Sequence, residues 1–127
     1  MAQVDWAGGL EPEIDGQMLA SAPENPEMRE SAAVWLFEEN GDFAISRLGI
    51  EAVGDCWDQH RYDGNFVFPG GRVLRTSTRG ATHPSLDAEG RSRVLGAGGL
   101  QFRCIEPFRK WAVRFSDTVC ESTIEQQ

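Results

Sequence analysis

The sequence predicts an all-β domain, an antiparallel barrel or strongly curved sandwich of about eight short strands behind an irregular N-terminal arm. Three observations carry this. From Ser31 onward, short runs rich in aromatic and β-branched residues alternate with turn signals. No stretch holds a helical apolar period for more than two turns. The segment GGLQFRCIEPFRKWAVRFSD, residues 98–117, contains two alternating runs joined by Glu106, Pro107, Phe108 and Arg109, which reads as a β-corner.

Residues 1–29 form the arm, since they hold three of the six prolines, several acids and no sustained period. A short helical turn is expected over Asp15 to Ala22, and Trp6 and Leu10 are expected to anchor the arm on the body. The β domain occupies residues 30–127. In it, SAAVWLF and FAISRLGIEAV make a hairpin, because Asn40-Gly41 between them suits a type I′ turn with positive φ at both central residues. WDQHRYDGNFVF follows, with Asp63-Gly64 as a second tight turn, and Pro69-Gly70-Gly71 closes it before RVLRTSTR. GATHPSLDAEGRS, residues 80–92, is a polar loop. RVLGAG, the 98–117 segment and a final TVCESTIE complete the strands.

Within the corner segment, Leu100, Phe102 and Cys104 share one face and Gln101, Arg103 and Ile105 the other. After the join, Trp111, Val113 and Phe115 oppose Ala112 and Arg114. Pro107 lacks the N–H that a central ladder needs, so one strand ends there. Glu106 and Arg109 are placed to pair through two contacts across the bend. Trp111 is expected to be largely buried, and Cys104 to be a small buried hydrophobe rather than a nucleophile.

A chain of 127 residues supports one core, and its net charge of −8 argues against a nucleic-acid or anionic-membrane partner, whose binding depends on Lys and Arg. The charge is uneven: residues 1–71 carry three basic and fourteen acidic side chains, residues 72–127 nine and six. The two halves are expected to attract, unless they simply present different solvated faces. Cys56, Cys104 and Cys120 are odd in number and form no CxxC pair. With no apolar leader and no apolar run near ~20 residues, a reducing cytoplasm is the expected compartment.

Candidate chemistry concentrates in GDCWDQHRYDGN, residues 54–65. In an extended strand Asp58, His60 and Tyr62 point one way, so an aspartate would fix the histidine's tautomer for acid–base work; the segment equally suits an exposed polar strand face. Trp35, Trp57, Tyr62, Phe66, Phe102 and Trp111, joined by Phe37, Phe68 and Phe115, either line a pocket for a flat or polyene-like ligand or fill the core. Cys56 and His60 have helical spacing in a strand and lack a second ligand pair, and GAGGL lacks the Lys and Ser/Thr of a phosphate loop. No metal, nucleotide or other cofactor is therefore expected.

The residues Gly98, Gly99, Leu100, Glu106, Pro107, Phe108, Arg109, Lys110 and Trp111 carry a resemblance. This stretch is similar to one in lipocalin-like proteins related to carotenoid 1,2-hydratases and the AttH-like group, and ESAAVWLFEENGDFAISRLGIEA resembles their opening hairpin. The resemblance spans roughly residues 30–125 and implies a lipocalin-like antiparallel β-barrel holding an apolar molecule. Members of that group typically carry two barrels in tandem, so the chain resembles the N-terminal barrel and is expected to associate with itself or with a second barrel-containing chain. The functional expectation is binding of a hydrophobic small molecule, an isoprenoid, steroid or aromatic compound. The protein would act as a subunit of a hydratase, isomerase or lyase with Asp58 and His60 as acid and base. The other expectation is a non-catalytic carrier, or a structural subunit completing a partner's active site.

Overall fold

Every strand pairing in the computed structural model is antiparallel, and the strands divide between two sheets. The structure describes residues 8–11, 18–19, 21–81 and 87–123. The larger sheet runs β1 (Arg29–Phe37), β2 (Ala44–Val53), β3 (His60–Val67), β4 (Arg72–Ala81) and β8 (Cys120–Thr123) in that order. The smaller runs β5 (Val94–Ala97), β6 (Leu100–Glu106) and β7 (Lys110–Phe115). The all-β class is as expected, but the sheets do not close into a barrel. They meet through Leu48, Ile50 and Ala52 of β2, Tyr62 of β3, Leu95 and Ala97 of β5, and Leu100 and Phe102 of β6, all buried.

The first hairpin lies where Asn40-Gly41 places it, with a wider turn than expected. Only Gly41 has positive φ, at +76°, and Glu38 donates its N–H to Phe43 O at 3.1 Å to close a six-residue loop. Asn40 instead accepts the Asp42 N–H through its side-chain oxygen at 3.1 Å, an Asx-type turn that makes a left-handed Asn unnecessary. Asp63-Gly64 is not a turn at all. Both residues lie inside β3, paired with Gly49 and Leu48 of β2. Glycine serves close approach there, since a Cβ on Gly64 would stand 2.7 Å from Leu48 Cδ1.

The corner segment contains two hairpins. Gly98-Gly99 turns β5 into β6, with Gly98 at φ +54°. β6 ends at Glu106, immediately before Pro107, and its buried face is Leu100, Phe102 and Cys104 as expected. Phe108 takes the left-handed conformation at φ +63°, and Arg109 N–H returns to Glu106 O at 3.0 Å. The Glu106–Arg109 ion pair is one exposed contact at 3.5 Å, not a two-point fork. Trp111 departs from expectation: it is 37% exposed. The reason is that β7 is the edge of the smaller sheet, with Lys110 to Arg114 exposed, and Phe115 reaches inward to rings of the larger sheet.

Several ion pairs form within each charged half. Arg29 and Arg61 hold Glu51 and Arg47 meets Asp63, all within residues 1–71. Arg72 meets Glu121 and Arg91 meets Asp87 and Glu89, all within residues 72–127. Cross-strand and turn neighbours satisfy these charges first, because they are held close by the backbone. In the arm, Leu10 is 54% exposed, not the buried anchor expected. Met18 packs against the core and donates its N–H to Ser92 O at 3.0 Å. Trp6 and most of Asp15 to Ala22 lie outside the described residues.

Candidate functional site

His60 opens β3 and is 2% exposed, with Nδ1 2.6 Å from Gly96 O and its ring edge-on to Trp57 at 6.4 Å. That contact makes Nδ1 the protonated nitrogen, since a carbonyl only accepts. Asp58 is elsewhere. It is exposed in the turn between the 3-10 turn Gly54–Cys56 and β3, where Gln59 N–H reaches Cys56 O at 2.9 Å. The alternation that puts residues i and i+2 on one face holds only inside a strand, so the expected Asp58–His60 couple does not form. Asp58 lines a shallow surface cleft with Gly54, Cys56, Trp57 and Gln59, whereas His60 joins the two sheets. A hydrogen bond with Asp55 pushes the exposed Cys56 thiol up, away from thiolate chemistry.

The aromatic residues also separate. Tyr62 and Phe102 are core, Trp57 and Phe66 pack partly buried against it, and Trp35 and Trp111 are exposed. Phe66 and Phe115 stack at 5.2 Å, and Tyr62 meets Phe115 edge-on at 6.2 Å. These rings therefore build the contact between sheets. Among the described residues, no group of three or more His, Cys, Asp or Glu could hold a metal ion, and no helix is long and apolar enough to cross a membrane.

Two features escaped the sequence reading. One is a polar clasp: Tyr62 donates its hydroxyl to Asp117, Asp117 also accepts the Gly99 N–H at 3.3 Å, and Thr76 donates to Thr118 O at 3.1 Å. The other is an apolar end of the larger sheet. Cα partners Leu36, Ile45, Phe66 and Leu74 form one row across β1 to β4, and Phe37, Ala44, Val67 and Val73 form the next. Adjacent rows point to opposite faces, so both faces of this end are apolar. The first row belongs to the core side, since Ile45 and Phe66 pack on the core. Trp35, Leu36 and Phe37 are 58%, 50% and 68% exposed on β1, an outer strand of the sheet. The consecutive apolar letters of VWLF signalled this, but they read as well as a buried strand.

Comparisons with family models, curated proteins and solved structures returned no match.

Proposed function

We propose that this domain binds an apolar small molecule, of the isoprenoid, steroid or aromatic class, along the core-side face of its larger sheet. One observation carries the reading: the row Leu36, Ile45, Phe66 and Leu74 continues the core outward and leaves Leu36 half exposed. A ligand lying along this row removes apolar surface from water, worth about 25 cal/mol per Å². Phe66, already stacked on Phe115, offers it a ring face. The role is binding rather than catalysis, because His60 is occupied by Gly96 O and Asp58 stands apart from it. The three free cysteines support a cytoplasmic setting.

A second reading is favoured by the opposite row. Phe37 and the bulged Trp35 lie on an edge strand, and an exposed apolar edge invites another β-structured chain, either a second copy or a second barrel-like unit. Because Leu36 and Phe37 face opposite sides, two variants separate the readings. Leu36→Glu is expected to abolish quenching of tryptophan fluorescence by a polyene, a steroid and an aromatic hydrocarbon while leaving the sedimentation coefficient unchanged. Phe37→Glu is expected to change sedimentation and spare the quenching. Absence of saturable quenching by all three compounds in the unaltered protein overturns the first reading.

A further inference from the structure

The solvent face of the larger sheet, opposite the apolar row, holds a cationic cleft in an otherwise acidic chain. Its volume is about 220 Å³, and Arg47, Arg61, Arg79, Asp63 and Ser77 are among its walls. The register explains the grouping. Gly49, Asp63 and Ser77 follow one another across β2, β3 and β4, with Arg47 two positions before Gly49, Arg61 two before Asp63 and Arg79 two after Ser77. Neighbouring strands are about 4.8 Å apart and alternate residues about 6.8 Å along a strand, so the three arginines border these short side chains, Arg47 from one side of the row and Arg61 and Arg79 from the other. Gly49 leaves the floor open: the Arg47 guanidinium lies across it, with Nη2 3.0 Å from where a Cβ would stand.

The charges in the cleft are only partly matched. Glu51 is held by Arg61 and by Arg29 at 2.6 Å. Burial alone would push its carboxyl up, yet the hydrogen bonds from Arg61 and Arg29 hold it below the usual range, so it stays ionised and occupied. Arg47 reaches Asp63 at 3.4 Å, a long and exposed contact. Arg79 makes no ion pair with another described residue. The three basic residues among the first 71, Arg29, Arg47 and Arg61, stand on β1, β2 and β3, and two of them, Arg47 and Arg61, line this cleft.

We infer that this cleft is a binding site for a small oxyanion of the phosphate type, held by Arg47 and Arg79 with the Ser77 hydroxyl donating and Arg61 adding its charge. Guanidinium groups suit such a ligand because their planar donors match its oxygens. Asp63 is the competing anion, already near Arg47, which gives the site a signature that a merely charged surface would lack. Removing the Asp63 charge strengthens oxyanion binding.

The test is titration of the full chain with inorganic phosphate, at constant ionic strength maintained with chloride, followed by amide shifts of Gly49 and Ser77. Saturable shifts are expected. The affinity should fall by about tenfold or more in the Arg47→Gln, Arg79→Gln double variant and rise in Asp63→Asn. Shifts that never saturate, or an Asp63→Asn variant that binds phosphate no better, overturn the site. Arg47, Asp63 and Arg79 are all exposed, and a thermal melt of each variant checks that the sheet is intact.

Discussion

Tyr62 and Asp117, 55 positions apart, are joined by a hydrogen bond that ties β3 of the larger sheet to the segment that follows β7 of the smaller. Tyr62 is 3% exposed, so its hydroxyl has no water to return to. Its remaining neighbour is Thr76 Oγ1 at 3.4 Å, which is directed to Thr118 O. The clasp thus satisfies a buried polar group and fixes how the sheets meet. Tyr62→Phe keeps the ring and removes the bond, and is expected to cost about 1–2 kcal/mol in urea unfolding. A loss below about 0.5 kcal/mol would show that the sheets hold their relation without it.

The same clasp sets an acid response. The Tyr62 hydroxyl first, and the Thr118 N–H next, hold the Asp117 carboxyl below the usual carboxylate range. A carboxyl depressed on folding contributes stability that is present above its unfolded pKa and lost as pH falls through its folded pKa. Melting temperature should therefore drop on acidification in the native protein. In Asp117→Asn it should start lower at neutral pH and fall less steeply, and parallel curves for the two proteins would rule this source out.

Legibility followed the range of each signal. Alternation in LQFRC placed the buried face of β6, and Pro107 its end, because both act within a few residues. Asp63-Gly64 failed because the dipeptide is permitted in a turn and also required where Leu48 presses on a strand from its neighbour, which only the register reveals. Trp111 failed for a related reason: alternation says which face a residue takes, not whether another sheet covers that face. Asp58 was misjudged by a boundary, since β3 begins two residues later. Tyr62 stood among the candidates, but its partner Asp117 lies in the distant connection between β7 and β8, which no local spacing indicates.

Glycines 64 and 99 give a ranking. A Cβ at Gly99 would stand 2.1 Å from the carbonyl oxygen of Ser116, the residue whose N–H donates to Gly99 O at 2.9 Å. At Gly64 it would meet the tip of Leu48, 2.7 Å away, and Thr76 Cγ2 at 3.3 Å. A side-chain tip yields more readily than backbone, so Gly64→Ala is expected to cost about 1–3 kcal/mol and Gly99→Ala more. Denaturant midpoints of the two variants check the order, and equal costs would mean that the β6–β7 pairing shifts freely.

His60 and Asp58 provide the sharpest contrast between a core role and an acid–base role. His60→Ala removes a buried ring, breaks its contact with Trp57 and leaves Gly96 O without its donor, so a cavity and an orphaned carbonyl arise together. The expected loss is about 2–4 kcal/mol. Asp58 is exposed in a turn, and Asp58→Ala should change stability by less than about 0.5 kcal/mol. The double variant should then cost the same as His60→Ala alone, because residues that share no contact add independently. Urea unfolding of the three variants decides the matter. A coupling of about 1 kcal/mol or more between the two sites would mean that the aspartate reaches the histidine in solution, and would reopen the acid–base reading of this segment.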